Sequence, residues 1–147
     1  MKIWIDADAC PKAIRDIILR FSERNETECI FVANHTLPLP KRHLIRQYQV
    51  AKGFDVADDT IVEQIHRQDL AITQDLALAA QLLELDVKVI TPKGERLVSE
   101  TIKSRLAMRD FMQTLRDSGV QTGGPNALSA QEKQNFINQL EKAYRQV

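Results

Sequence analysis

The amino-acid sequence predicts a three-layer α/β domain: a mostly parallel sheet of four to five strands, helices on both faces, and a helical C-terminal extension. Three observations predict it. Short apolar runs alternate with segments of helical periodicity over the first 92 residues, the rhythm of repeated βαβ units. Strand-like apolar runs stop at Pro92, and only helical periodicity follows. The 147 residues, 44% apolar and 27% charged with no low-complexity run, suit one core and leave no room for a second globular domain. The expected organisation is one domain over residues 1–147, with a sheet core at 1–92 and C-terminal helices at 93–147.

Taken in order, "KIWIDA" reads as a short buried strand. "PKAIRDIILRFSER" reads as a helix, because Ile14, Ile17, Ile18 and Phe21 fall at i, i+3, i+4 and i+7. Pro11 suits the first helical position, which makes Cys10 the expected N-cap. "CIFVA" is the second strand. From Asn34 to Lys52 the pattern is open, since "LPLP" breaks regular structure and "RHLIRQYQV" fits a short helix, a strand or both. "ADDTIVEQIHR" is a helix with aspartates in its first turn, "LAIT" a strand, "LALAAQLLEL" a helix and "VKVIT" a strand. "SETIKSRLAMRDFMQTLRDSG" carries helical periodicity through Ile102, Leu106, Met112 and Leu115, with Gly119 as its stop. "GVQTGGPNAL" is a turn-rich loop. "SAQEKQNFINQLEKAYRQV" is a final helix with Ser129 and Glu132 as a capping box. The C-terminal helices have three candidate partners: the sheet, each other, or a second subunit.

Composition excludes several classes. With 20 basic and 20 acidic residues the net charge is zero, which argues against an overtly basic nucleic-acid binder. No apolar run is long enough to cross a bilayer, and no basic-then-apolar leader precedes "MKIWID", so no membrane association and a cytoplasmic location are expected. The two cysteines, Cys10 and Cys29, have no CxxC spacing and no compact His/Cys cluster, so reduced thiols are expected rather than a disulfide framework or a zinc site.

The residues that point to chemistry are acidic. In open parallel sheets, ligands bind at the carboxyl ends of strands beside the point where strand order reverses. Asp6 and Asp8 end the first strand, and Asp75 follows "LAIT" closely. If those strands are neighbours at the reversal, the carboxylates converge, and Asp58 and Asp59 at a nearby helix start can join them. Simpler roles compete: Asp75 as the cap of the helix that follows it, Asp58 or Asp59 as the cap of theirs. Asp8 is open between metal ligand and loop stabiliser. Asp6, at the end of a buried strand, is hardest to explain structurally, because burying an ionised carboxylate is costly unless it is paired or metal-bound. Two carboxylates about 4 Å apart repel by roughly 4 kcal/mol at an effective dielectric near 20. A hard divalent ion such as Mg²⁺ or Mn²⁺ would cancel that repulsion, activate water and bridge a phosphate oxygen.

"DADACP", "GFDVADDTI", "DLAITQDLALA", "GER", "TIKSRLAMRDFM" and "QTGGP" together resemble the YaiI/YqxD family of bacterial proteins over nearly the whole chain. That family is in turn distantly similar to PIN-domain nucleases, which cleave single-stranded or structured RNA and DNA with Mg²⁺ or Mn²⁺ held by three or four acids on a Rossmann-like sheet. The resemblance implies a PIN-like fold and a metal-dependent phosphodiesterase acting on RNA or single-stranded nucleic acid. Asp6 then corresponds to the acid closing the first strand and Asp75 to the acid of Thr73-Gln74-Asp75. Asp58 best matches the intervening acid, with Asp59 and Glu63 as competitors, and Asp8 as a supplementary oxygen donor.

Other readings stand beside it. A haloacid-dehalogenase-like phosphatase would use Asp6 as nucleophile and Asp8 as acid/base. In such enzymes a strand-end Thr or Ser and a Lys precede the later acids, whereas here "ADDT" comes before "LAIT". A non-catalytic metal- or nucleic-acid-binding protein is the third reading. Lys41, Arg42, Arg46 and Lys52 form one acid-free basic stretch, and Arg105 and Arg109, four apart on one helical face, are candidates to grip a phosphate. Their alternative is a solvated helix face. Tyr48, Phe54 and Phe111 are scattered, so no base-stacking platform is visible. Ordinary polar roles are expected for the isolated His35, His43 and His66. A homo-oligomer is compatible with the sequence.

Overall fold

A computed structural model describes residues 1–53, 56–119 and 128–146. Phe54, Asp55 and the "QTGGP" segment lie outside the described residues. The chain runs β1 (Ile3–Asp6), a 3-10 turn (Ala7–Ala9), α1 (Lys12–Asn25), β2 (Cys29–Ala33), β3 (Ile45–Gln49), α2 (Val56–Gln64), β4 (Leu70–Ile72), α3 (Leu76–Glu84), β5 (Lys88–Ile90), β6 (Arg96–Leu97), α4 (Ser99–Asp117) and α5 (Ala130–Arg145).

The strands form one sheet in the order β3-β2-β1-β4-β5-β6. The first five are parallel, and β6 returns antiparallel to β5. The chain therefore builds outward from β1 to β3, crosses back, and builds outward again on the other side. The order reverses between β1 and β4, whose registers pair Ile3 with Leu70 and Ile5 with Ile72.

Strand alternation divides the core into two layers. One face carries Ile3, Ile5, Phe31, Leu70, Ile72 and Ile90, packed on Ile14, Ile18 and Phe21 of α1 and on Phe136 and Leu140 of α5. The other carries Trp4, Ile30, Val32, Ala71 and Val89, packed on Ile61 of α2, Leu78 and Leu82 of α3, and Ile102 of α4. Helices cover both faces, which completes three layers. Each of the buried Ile, Leu, Val and Phe side chains contributes about 1.5–3 kcal/mol on burial, which anchors the central strands that carry the site's backbone.

The ambiguous "RHLIRQYQV" contains β3, a parallel edge strand whose ladder runs from Cys29↔Ile45 to Ala33↔Gln49. The sheet has six strands rather than four to five. The sixth lies beyond Pro92 and escapes an apolar-run criterion because it is two residues long and only Leu97 is buried. Its turn explains "GER". Gly94 has φ +85°, and a Cβ there would run into the Phe136 amide and the Asn135 backbone of α5. Glu95 pairs with Arg105 of α4, and Arg96 reaches Gln146.

The helix ends follow their local chemistry. Ser129 and Glu132 form the capping box of α5, and Gly119, at φ +82°, stands just beyond the end of α4. At α1 the expected cap is displaced. Cys10 closes the 3-10 turn through its N–H to the Ala7 carbonyl at 3.2 Å, so Pro11 becomes the N-cap, with no side chain bonded to the helix start. Opposite the carboxyl edge, the buried Asp69 accepts from the Lys2 amide, the Trp4 indole and the His66 amide, tying the entry of β4 to β1.

Candidate functional site at the switch point

Asp6 is the last residue of β1, with its backbone held by two neighbouring strands and its side chain partly buried. Its Oδ2 accepts from the Thr73 hydroxyl at 2.8 Å. The same hydroxyl oxygen accepts from the Asp75 amide at 3.0 Å. Thr73, 1% exposed, thus links the end of β4 to the end of β1 across the reversal of strand order. Burial raises the Asp6 pKa above the ordinary carboxylate value, the Thr73 bond opposes that shift, and the charges of Asp75 and Asp8 add to it. The charges of Asp75 and Asp8 therefore reach Asp6 across the reversal of strand order.

Asp75 caps α3. Its Oδ1 accepts from the amides of Ala77 at 2.9 Å and Leu78 at 3.2 Å. Capping and participation in the site are compatible, since both bonds fall on one carboxylate oxygen. Asp8 sits in the 3-10 turn and receives the Asn34 amide on both oxygens, at 3.1 and 3.0 Å. His35 Nδ1 lies 2.9 Å from Asp8 Oδ1. Asp8 thereby ties the turn after β1 to the end of β2, the loop-stabilising role among the two left open. Asn34 and His35 are the residues that sequence reasoning missed at this edge. His35 is not isolated: only Asn34 separates it from "CIFVA", so it emerges at the carboxyl end of the strand beside β1, and strand order is the signal that places it there.

Asp58 lies in the first turn of α2 and lines a cavity of about 260 Å³ together with Asp6, Asp8, Asn34 and Asp75. Val50 and Val56 form an apolar wall of the same cavity. Asp59, one residue on, is exposed and does not line it, and Glu63 is exposed too. Arg105 and Arg109 also lie outside this lining. Arg105 is paired with Glu95, and Arg109 Nη2 lies 3.7 Å from Asp110. Among the described residues, no three His, Cys, Asp or Glu side chains group closely enough to hold an ion as a set. Asp8 and Asp75 are each drawn toward backbone amides. The donor set is nonetheless all carboxylate, the chemistry of Mg²⁺ and Mn²⁺, and Mg²⁺ keeps several waters between itself and its protein ligands.

The thiols lie in other surroundings. Burial pushes Cys10 and Cys29 each up to about 12, and both are free and buried. Neither is a nucleophile at neutral pH.

Fold and site together define a class: a three-layer α/β domain with a carboxylate-lined cleft at its topological switch point. Residues 4–146 match the family model described as "Uncharacterized BCR, YaiI/YqxD family", and the chain belongs to that family. It is 53% identical to a UPF0178 protein of Vibrio cholerae serotype O1, over 97% of this chain and 95% of the relative. It is 51% identical to a UPF0178 protein of Vibrio atlanticus, over 97% of each chain. A UPF0178 protein of Pectobacterium carotovorum is 49% identical over 97% of this chain and 95% of its own length. No solved structure matches the chain.

Proposed function

We propose that the protein is a divalent-metal-dependent phosphodiesterase acting on RNA or single-stranded nucleic acid, with its reaction at the aspartate-lined cleft. One observation carries this reading: Asp6, Asp58 and Asp75 line the same cavity beside the reversal between β1 and β4. The similarity of the sequence motifs to PIN-domain nucleases supports it. Asp6, Asp58 and Asp75 would hold Mg²⁺ or Mn²⁺, directly or through water, with Asp8 assisting. Bound there, the ion would supply water activation and charge stabilisation for displacement at phosphorus.

The chain's own residues prepare the cleft for this. The Thr73 hydroxyl donates to Asp6 and accepts from the Asp75 amide, so the two strand-end acids keep a constant relation. The α3 amides hold Asp75 Oδ1 and leave Oδ2 for the cleft. Burial and like charge disfavour an ionised Asp6, a cost that a cation offsets. A second reading, a non-catalytic metal- or nucleic-acid-binding protein, draws on the capping and clamping duties that Asp75 and Asp8 already perform.

The test incubates purified protein with single-stranded RNA and DNA in Mn²⁺, Mg²⁺ or EDTA, beside an Asp6→Asn/Asp75→Asn variant. The expected outcome is RNA cleavage that requires the metal and falls to background in the variant. Cleavage persisting in EDTA or in the variant overturns the mechanism. Ion binding without cleavage supports the binding-protein reading, and covalent phosphorylation of Asp6 by a small phosphomonoester supports a haloacid-dehalogenase-like phosphatase.

A further inference from the structure

The carboxyl edge of the sheet changes in polarity along the strand order. Strands β3, β2, β1 and β4 lie side by side, and each delivers a residue to the cleft at or just past its end. Trp4 and Val32 face the layer of α2 and α3, so strand alternation turns Asp6 and Asn34 to that same side. Val50 packs against that layer too, and its amide donates to the Ala33 carbonyl at 2.9 Å, which carries the β2–β3 ladder one step past Gln49. Across four strand ends the row therefore runs Val50, Asn34, Asp6, Asp75: aliphatic, neutral polar, acidic, acidic. Neighbouring strands lie about 4.8 Å apart, so the aliphatic end of the row stands about 10 Å from Asp6.

That gradient selects what can lie in the groove. The described lining residues include four aspartates and no Lys or Arg, so an anionic group enters only where a cation covers the acids, toward β1 and β4. The other end, lined by Val50, Val56 and Ala57, takes an uncharged and largely apolar group. Asn34 stands between them. Its amide donates to both oxygens of Asp8, which fixes its backbone, while its carboxamide is uncommitted. His35 Nδ1 lies 2.9 Å from Asp8 Oδ1 but 3.4 Å from Asn34 Oδ1, and Asn34 Nδ2 has no partner among the described residues. A carboxamide offers a donor and an acceptor side by side, the complement of a nucleobase edge such as N6 and N7 of adenine. A ligand with a phosphate at one end and a flat, hydrogen-bonding ring at the other is a nucleotide.

We infer that this edge seats one nucleotide of the substrate, its phosphate toward Asp6 and Asp75 and its base against Val50 and Val56, with Asn34 as the residue that reads the base. This rests on the phosphodiesterase reading and adds to it a requirement for an unpaired base, since a base held in this cleft has left its stack and its pairing partner.

The test titrates the isotope-labelled full chain in Mg²⁺ with AMP, GMP, CMP, UMP and ribose 5-phosphate, and reads dissociation constants from amide chemical shifts. The nucleotides are expected to shift the amides of Asn34, Val50 and Ala57, and the best of the four to bind about 10-fold tighter than ribose 5-phosphate. Asn34→Ala keeps the backbone amide that Asp8 holds. It is expected to narrow the spread among the four bases by about 5-fold, far more than it weakens ribose 5-phosphate. Asn34→Asp, which keeps the shape and loses the donor, is expected to reorder them. Ribose 5-phosphate binding as tightly as the nucleotides, one rank order in wild type and both variants, or no nucleotide binding in Mg²⁺ overturns the inference. If wild type cleaves RNA while nucleotides bind no better than ribose 5-phosphate, the base seat fails and the phosphodiesterase reading stands. Base-dependent nucleotide binding without cleavage of any RNA does the reverse.

Discussion

Asp6 illustrates how burial and neighbouring charge set an ionised side chain against the stability of the fold. Its carboxyl is held above the ordinary value of 3.8, chiefly by burial and then by the charges of Asp75 and Asp8. The native state therefore binds this proton more tightly than the unfolded chain. Stability attached to Asp6 is fully present below the unfolded pKa and is lost as pH rises through the raised native one. Asp6→Asn, which keeps an acceptor for Thr73, is expected to melt higher than wild type in EDTA at pH 8, by about 2–4 °C, the shift that ~1 kcal/mol produces at this chain length. The gain is expected to shrink as pH falls through the raised native pKa and wild-type Asp6 takes up its proton. Calorimetry across that range checks it, and equal melting temperatures at pH 8 would remove the argument that Asp6 is strained by its surroundings.

Among the elements, the β5–β6 turn has the most consequences for its size. Thr91 closes it by donating its amide to the Glu95 carbonyl at 2.8 Å, and Gly94 passes against the α5 backbone at a positive φ. Gly94→Ala is strained twice, by conformation and by collision, and is expected to cost about 2–4 kcal/mol in chemical denaturation. Hydrogen exchange should rise first in α5, around Phe136 and Leu140, because that is the backbone the new methyl displaces. A uniform loss of protection across the chain would mean that the turn acts on the whole fold instead. The same turn anchors α4 through Glu95 and Arg105, so it positions both C-terminal helices.

At the scale of the whole molecule, the sheet order makes the site. Segments far apart in sequence deliver Asp6, Asp8, Asp58 and Asp75 to one cavity because β1 and β4 are neighbours at the reversal. Among the described residues no helix is long and apolar enough to cross a membrane. If the cleft binds a divalent ion, the ion must bind the folded chain alone, since the acids converge only there. Mn²⁺ at 100 times its dissociation constant would then stabilise by about 2.7 kcal/mol, several degrees in Tm. Thermal melts with Mn²⁺ are expected to show that shift in wild type and not in Asp6→Asn/Asp75→Asn. The same shift in both proteins would place the ion elsewhere.

Periodicity alone determined most elements of this protein, and the strand ends alone nominated Asp6, Asp8 and Asp75, because burial patterns and caps are local. The capping box of α5 was legible in four residues. The sequence left β3 ambiguous and β6 hidden, since edge strands are short and only partly buried, and their identity comes from the ladder they join. It also left open whether Asp58 or Asp59 faces the cleft, which depends on the rotation of α2 against the sheet. It set His35 aside, because its neighbour Asp8 is distant in sequence and close only through strand order. Local chemistry supplied the acids; tertiary structure decided which meet, because convergence depends on strand neighbours that no single segment specifies.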